Sequence, residues 1–236
     1  MIYVMSDLHG RYDLYKAMLE GINFSDDDTL YILGDVIDRG LGSIDILRDM
    51  KKRKNIIPLM GNHEYDAIPL LRKILFPTWR DFVTPSRDEI FEEGYRIWMY
   101  NGGEPTLSLF RGINKKEAME LIEYMESFKA FATEEIGDKK FVLVHAGLGY
   151  FSVDKPLEEY DLWDLTHVRP NFEKQYFSDE NTFVVFGHTP TPLITSQAKI
   201  YHGANNICVD CGAVFDGGRL ACLRLDDMKE FYTSNA

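Results

Sequence analysis

The feature that most constrains the fold of this chain is a short apolar run that recurs and each time leads into a polar residue beside a glycine. Ile2–Met5 precedes Asp7 and His9, and Leu30–Leu33 precedes Asp35. Four further runs lead into Gly61-Asn62-His63-Glu64, His145-Ala146-Gly147, Gly187-His188-Thr189 and Asp210-Cys211-Gly212. Short, continuous apolar runs are typical of strands that are buried on both faces. We therefore predict a buried sheet with polar residues at its strand ends.

Three segments have the apolar spacing of helices. Tyr12–Gly21 and Ser43–Lys52 each place apolar residues on one face, and Ser43 is predicted to cap the second helix. Asn114 precedes a third helix and is followed three residues later by Glu117, which is a capping-box pattern. Strands that alternate with helices predict βαβ units. In open α/β sheets, ligands bind beyond the carboxyl ends of the strands, where the polar residues of this chain lie.

The length and composition predict one domain. The chain has 236 residues, of which 45% are hydrophobic, and this suffices for a single large core over residues 1–236. Residues at about 77–112 interrupt the alternation of strands and helices. They contain Trp79, Trp98 and Asn101-Gly102-Gly103, and we interpret them as a partly helical insertion that could cover the polar strand ends.

The charge disfavours two classes of partner. Acidic residues number 38 and basic residues 26, and the resulting net charge of −12 repels nucleic acid backbones and anionic membranes. Because no targeting segment or membrane-length apolar run is apparent, we expect a cytoplasmic protein. The three cysteines do not suit a disulfide scaffold, and we interpret Cys208-Val209-Asp210-Cys211 as structural.

Four of the six histidines follow apolar runs, and together with nearby acidic and amide side chains they suggest a metal centre. Burying so many polar groups at one sheet edge is costly unless two divalent cations satisfy them. Carboxylate, amide and imidazole ligands without thiolate favour manganese, with iron or zinc as alternatives, over calcium. The candidate ligands are Asp7 and His9 for one ion, Asn62, His145 and His188 for the other, and Asp35 as a bridge.

Five blocks occur in order along the chain: Asp7-Leu8-His9-Gly10, Gly34-Asp35-Val36-Ile37-Asp38-Arg39-Gly40, Gly61-Asn62-His63-Glu64, His145-Ala146-Gly147 and Gly187-His188-Thr189-Pro190. Together they resemble the signature of the calcineurin-like metallophosphoesterases, over the chain from Met1 to about Leu225. The resemblance is greatest to the phosphoprotein phosphatase branch, and within it to the small bacterial and phage lambda-type serine/threonine protein phosphatases. Two further parts carry this last resemblance, Trp98-Met99-Tyr100-Asn101-Gly102-Gly103 and Val209–Phe215.

The resemblance implies a fold, a set of metal ligands and a substrate. The fold is α/β, a four-layer α-β-β-α sandwich with two mixed β-sheets. The implied substrate is a phosphorylated protein or peptide, or a phosphorylated small molecule, and the oligomeric state is left open. The implied ligands are Asp7, His9 and Asp35 for the first metal, and Asp35, Asn62, His145 and His188 for the second.

A mechanism follows for such a site as a hypothesis. In two-metal centres a water that bridges the ions loses a proton and attacks phosphorus directly, in line with the leaving group. Arg39 would hold phosphoryl oxygens through its planar fork. His63 would protonate the leaving oxygen, and Asp38 would orient His63 and keep it cationic. Arg39, Asn62 and His63 are therefore also expected to contact the substrate.

One block departs from the pattern of the lambda-type enzymes. They carry a second phosphate-binding arginine shortly after a Leu-Trp or Ile-Trp pair. In this chain Leu162-Trp163 is followed by Asp164–Val168 before the first arginine, Arg169. Arg169 is the nearest candidate for that role, and a surface residue before Pro170 is the alternative interpretation.

Two other functions remain as alternatives. The first is a symmetrical dinucleoside polyphosphate hydrolase, which would cleave diadenosine tetraphosphate on the same fold. Gly212–Asp227 is similar to the C-terminal block of that family, whereas Glu64 and Asp38 depart from its usual pattern. The second is a metal-binding module that has lost catalysis, which is disfavoured because every expected ligand and catalytic residue is present.

Overall fold

The computed structural model describes residues 1–78 and 89–234, and these residues form two five-stranded mixed sheets. The first sheet has the strand order β10-β9-β1-β2-β3, with β1 parallel to β2 and β2 parallel to β3. Strand β9 runs antiparallel to β1, and β10 runs antiparallel to β9. Its strands are β1 (Ile2–Met5), β2 (Thr29–Ile32), β3 (Ile56–Pro58), β9 (Ala221–Arg224) and β10 (Lys229–Tyr232).

The second sheet has the strand order β4-β5-β6-β8-β7. Strands β5, β6 and β8 are parallel, while β4 and β7 run antiparallel at the two edges. Its strands are β4 (Phe131–Ile136), β5 (Lys139–Val144), β6 (Thr182–Phe186), β7 (Tyr201–His202) and β8 (Asn206–Cys208).

Helices of very different length cover the outer faces of the two sheets. One short 3₁₀ helix, Leu157–Glu159, accompanies them. The α-helices of the described residues are α1 (Tyr12–Gly21), α2 (Ser43–Lys52), α3 (Asn62–Leu75), α4 (Glu89–Tyr100), α5 (Glu104–Gly112), α6 (Lys115–Glu126), α7 (Leu162–Thr166) and α8 (Pro192–Thr195).

Alternation of side chains along the strands produces three apolar cores. In β1, Tyr3 and Met5 pack towards the helices, whereas Val4 faces the second sheet. In β5, Leu143 faces the first sheet and Val144 faces the opposite side, where loops and α7 cover it. The strands are buried on both faces because each sheet lies between two apolar layers. This arrangement confirms the predicted four-layer sandwich with two mixed sheets.

The predicted helix bounds hold, but one predicted cap is wrong. Helices α1 and α2 have the bounds predicted, and the Asn114 side chain accepts a hydrogen bond from the Glu117 N–H at 3.0 Å. Ser43, however, is the first residue of α2, and Gly42 occupies the cap position without a side-chain bond. The cap is a glycine because a Cβ there would lie 2.6 Å from the carbonyl oxygen of Gly10.

The predicted insertion at 77–112 is described in part. Residues 89–112 contain α4 and α5, and Trp98 in α4 is fully buried against the first core. Trp79 lies outside the described residues. Within the described part of the chain, no helix is both long enough and apolar enough to cross a bilayer.

Candidate active site

The parallel strands of the two sheets end at one cavity. Loops that follow these strands line a space of about 240 Å³. Two predicted site residues, Asp38 and His145, are fully buried behind it, where they contact His63 and Asn62. The other predicted residues line the cavity itself: Asp7, His9, Asp35, Arg39, Asn62, His63, Arg169 and His188.

The backbone is left-handed at many of these positions. Left-handed φ costs an L-residue roughly 1–2 kcal/mol, and such strain clusters at functional sites. The turn out of each strand directs the following side chain into the cavity. The affected site residues are Asp7 (φ 56°), His9 (42°), Asp35 (54°), Asp38 (70°), Arg39 (65°) and His188 (65°).

Glu64 fixes the loop that carries Asp35, and the sequence motif alone did not identify this role. Its Oε1 accepts the backbone N–H groups of Val36 at 2.8 Å and Ile37 at 3.1 Å. Its Oε2 accepts those of Asp35 at 2.9 Å and Gly61 at 3.1 Å. One buried carboxylate therefore joins the ends of β2 and β3. In the sequence, the signal for this role of Glu64 was its position three residues after Gly61, at the start of α3.

The tautomer of His145 is set by a backbone carbonyl. Its Nδ1 lies 2.6 Å from the carbonyl oxygen of Leu33, so Nδ1 carries the proton. With the proton on Nδ1, the Nε2 atom faces Asn62 Oδ1 at 3.0 Å and Asp35 Oδ1 at 3.4 Å. Three acceptor atoms that face one another are stable when a cation lies between them.

His9 is held in the same way. Its Nδ1 lies 3.0 Å from the carbonyl oxygen of Ile37, and its Nε2 faces Asp35 Oδ2 at 3.7 Å. Burial, followed by the nearby His63, lowers the pKa of His9 well below its ordinary value. The ring is therefore neutral near pH 7, which is the form that binds metals.

His188 approaches the same amide as His145. Its Nδ1 lies 2.9 Å from Asn62 Oδ1, and its backbone N–H donates to Asp7 Oδ2 at 3.0 Å. Burial, followed by the neighbouring His145, lowers the pKa of His188 to about 3. The Ser6 hydroxyl also donates to Asp7 Oδ2, so Asp7 Oδ1 is left for another ligand.

Three carboxylates share this buried space and destabilise one another. Burial and the charge of Asp35 raise the pKa of Asp7. Burial and the charge of Asp7 raise the pKa of Asp210 well above its ordinary value. Burial also disfavours the charge of Asp35, but the surrounding imidazoles, His145 first, hold its pKa far below the usual range. Such a cluster lacks positive charge that divalent cations would supply.

The donor atoms fit two divalent cations. Asp35, His145 and His188 offer one ligand atom each within 4.8 Å of one another, and Asp35, His9 and His63 do the same. Asp35 belongs to both groups, which is the position predicted for a bridging ligand. The second group contains His63, whereas the sequence predicted Asp7 as a ligand of the first ion. Either residue could therefore bind this ion together with His9 and Asp35, and the metal content of variants would distinguish them.

His63 and Asp38 form a buried dyad. His63 Nδ1 lies 2.6 Å from Asp38 Oδ2, and the indole N–H of Trp98 donates to the same oxygen at 2.9 Å. The backbone N–H of Asp38 donates to the Thr106 hydroxyl at 2.8 Å. Although burial opposes a charged ring, Asp35 and then Asp38 raise the pKa of His63 to about 9. The dyad thus leaves Nε2 of His63 facing the cavity.

Arg39 lies at the mouth of the cavity beside this dyad. One of its guanidinium nitrogens is 3.1 Å from His63 Nε2, and its guanidinium carbon is 5.6 Å from the centre of the Phe215 ring. Its backbone N–H donates to the carbonyl of Gly102 at 2.8 Å. Donation to Nε2 requires a neutral His63, whereas the raised pKa favours the protonated ring. An oxyanion between the two side chains would satisfy both.

Arg169 and Asp210 also line the cavity. Arg169 is exposed there, as a second arginine for a phosphoryl group would be, although it lies later in the chain than the family pattern places it. Asp210 was not predicted as a site residue, and its sequence signal was its position directly after the run that forms β8. Cys208, Cys211 and Cys222 are buried, and burial first raises the pKa of each thiol, as the structural interpretation expected.

This fold and this cluster define a metal-dependent phosphoesterase. A family profile described as calcineurin-like phosphoesterase matches residues 1–222. The chain therefore belongs to the calcineurin-like phosphoesterases. The predicted family is confirmed.

The individual relatives have low sequence identity to this chain. The symmetrical bis(5'-nucleosyl)-tetraphosphatases of Salmonella typhimurium and Salmonella typhi are each 28% identical to this chain over 148 residues. That match covers 62% of this chain and 43% of each relative, so the chain spans less than half the length of these curated relatives.

Two solved structures share the fold at low identity. The crystal structure of a putative diadenosine tetraphosphatase superposes with a TM-score of 0.66 and 18% identity, over 98% of this chain and 92% of that one. A protein serine/threonine phosphatase from Saccharomyces cerevisiae superposes with a TM-score of 0.56 and 14% identity, over 99% and 79%. Both confirm the fold.

Proposed function

We propose that this protein hydrolyses phosphoric monoesters and that its substrates are proteins phosphorylated on serine or threonine. The observation that carries this proposal is the dyad in which His63 Nδ1 lies 2.6 Å from Asp38 Oδ2. Such a dyad supplies a proton donor at a fixed position, and only some phosphoester substrates need one.

The metal ligands are assigned as the sequence predicted. Ions bound there would supply Lewis acidity and a water of lowered pKa. Manganese is the first candidate, with iron and zinc as alternatives. One ion would be held by Asp7, His9 and Asp35, and the other by Asp35, Asn62, His145 and His188.

The chain's own residues would orient the phosphoryl group. The planar guanidinium of Arg39 can donate two parallel hydrogen bonds to phosphoryl oxygens, and its contact with Phe215 limits its motion. Arg169, on the same cavity, would serve as the second arginine. Asn62 would contact a phosphoryl oxygen, and His63 would contact the leaving oxygen.

The leaving group distinguishes the two candidate substrates. A serine or threonine alkoxide is strongly basic, so departure is slow unless a group such as His63 Nε2 protonates the leaving oxygen. Asp38 keeps that proton available and fixes the ring, and Trp98 fixes Asp38 in turn. The phosphate leaving group of a dinucleoside polyphosphate is already a stable anion and needs little protonation.

A second candidate is the hydrolysis of dinucleoside tetraphosphates. It is favoured by the symmetrical tetraphosphatases that are 28% identical to the chain. These relatives support the site chemistry, but the match covers 43% of their length. The two candidates share the metal site and differ in their demand on His63 and Asp38.

The test compares kcat/KM for a phosphothreonine peptide and for diadenosine tetraphosphate, with manganese present. We expect the peptide to be preferred, and a clear preference for the tetraphosphate would replace the proposal with the second candidate. Asp38→Asn serves as an internal control, because it should lower kcat/KM for the peptide more than for the tetraphosphate. Equal losses on both substrates would contradict the role of the dyad.

A further inference from the structure

An apolar groove lies beside the catalytic cavity. It has a volume of about 520 Å³ and is formed by α3, α4 and α7. Two of its residues, Asn62 and Asn101, also line the catalytic cavity, so the two spaces adjoin. The aliphatic and aromatic part of its lining is Tyr65, Pro69, Leu70, Ile90, Phe91, Ile97 and Trp163.

The floor of the groove is a fixed aromatic cluster. The rings of Trp163 and His167 stack with centroids 3.6 Å apart and an interplanar angle of 8°. Tyr65 meets both rings edge-on, at 6.1 Å and 5.2 Å. Nε2 of His167 lies 3.4 Å from Asp66 Oδ1, which holds the stack in place. The cluster is therefore organised before any ligand arrives.

These apolar residues are unusually exposed for their size. Relative exposure is 52% for Trp163, 86% for Ile90 and 46% for Ile97. A contiguous apolar surface of this kind marks a binding groove more often than a free surface. Because the groove adjoins the cavity, a group that is attached to the phosphoryl ester can reach it.

We propose that this groove binds a large apolar side chain of the substrate, close in sequence to the phosphorylated residue. This inference rests on the proposed function and assigns its peptide specificity. An extended peptide advances about 3.3 Å per residue, so a side chain within a few residues of the phosphate would reach the groove. Asp66 faces His167, and although Asn62, Lys73 and Asn101 also line the groove, most of its surface is apolar, which suits an aliphatic or aromatic side chain.

The test uses phosphothreonine peptides in which each of the three positions on either side carries Phe, Ala or Asp in turn. At one position we expect kcat/KM for Phe to exceed that for Ala by about tenfold, as burial of one aromatic side chain allows. Asp at that position should lower kcat/KM further. In Trp163→Ala the ratio of Phe to Ala should fall towards one, mainly through KM.

Two further variants keep the test decisive. Ile97→Asp places a charge in the groove at a half-exposed position of α4, and it should abolish the Phe preference even where Trp163→Ala fails to fold. Tyr150→Ala removes an aromatic ring that is 80% exposed and outside the groove, and the preference should persist.

The outcomes separate the two proposals. If no phosphomonoester is hydrolysed, including 4-nitrophenyl phosphate, the proposed function fails. If monoesters are hydrolysed without a Phe preference at any position, or if both groove variants keep it, the groove assignment is overturned. If Trp163→Ala and Ile97→Asp instead raise KM selectively for diadenosine tetraphosphate, the occupant is a nucleobase and the peptide assignment is wrong.

Discussion

Three imidazoles surround the Asp35 carboxylate. Its oxygens lie 3.4 Å from His145 Nε2, 3.7 Å from His9 Nε2 and 3.9 Å from His63 Nε2. Because Nδ1 of His145 and Nδ1 of His9 face backbone carbonyls, their Nε2 lone pairs point at Asp35. Imidazole and carboxylate atoms that converge in this way are a ligand set suited to divalent cations, so this residue is where we expect them to bind.

We expect Asp35→Asn to lose bound metal and to reduce hydrolysis to background. The amide keeps the shape of the side chain, but it removes the negative charge and one of the two oxygens that would bridge the ions. Metal content by mass spectrometry and turnover of 4-nitrophenyl phosphate check both effects. Retention of two ions per chain with full activity would refute the bridging role.

His63→Gln should lower turnover while the protein keeps both ions. Loss of a general acid typically costs about 10²–10⁴-fold when the leaving group is basic. Phenyl phosphate should therefore suffer a loss in that range, and 4-nitrophenyl phosphate a much smaller one because its leaving group is more stable. Loss of one ion from the variant would instead reassign His63 as a ligand, as its distance from His9 and Asp35 permits.

At the scale of the element, one carboxylate connects two strand ends. Glu64 lies in the first turn of α3 and accepts four backbone N–H groups from the loops after β2 and β3. Both oxygens are used twice, so neither can be replaced by a donor without conflict. The position of Asp35 therefore depends on a residue that contacts no substrate.

Glu64→Gln should destabilise the protein by about 2–4 kcal/mol, because an amide donor would face two buried N–H donors. The midpoint of urea unfolding measures this loss, with the slope of the transition unchanged. Glu158→Gln is the matched control at an exposed position, and its effect should stay within about 0.5 kcal/mol. Equal midpoints for the two variants would show that the loop does not depend on Glu64.

Some elements were predictable and others were not, for identifiable reasons. Helices α1 and α2 carry their signal locally, as apolar residues on one face. Helix α3 contains Pro69, a residue that normally ends a helix, and it persists because Ala67, Leu70 and Leu71 are buried in the core. The cap of α2 was predicted wrongly, because contact between two distant loops demands glycine at that position.

At the scale of the whole molecule, the site follows from the topology. Polar residues after parallel strands of one sheet must meet at one edge, so the convergence of Asp7 and Asp35 was predictable without a structure, whereas His188 follows β6 of the second sheet. What sequence could not predict depends on contacts between distant segments. The placement of Asp210 beside Asp7 joins the two sheets, and the stack of Trp163 on His167 is formed by a five-residue helix.

The site also links metal binding to the stability of the whole fold, since its ligands come from both sheets. Each ion that binds the native state alone adds about 2.7 kcal/mol at a free concentration of 100 times its Kd. In a chain of this size each kcal/mol raises Tm by about 2–4 °C. Manganese added to chelator-treated protein should therefore raise Tm by at least about 5 °C, as calorimetry measures. Asp35→Asn should abolish the rise and His63→Gln should retain it; a wild-type Tm that is indifferent to manganese would mean that the two sheets are not joined through bound ions.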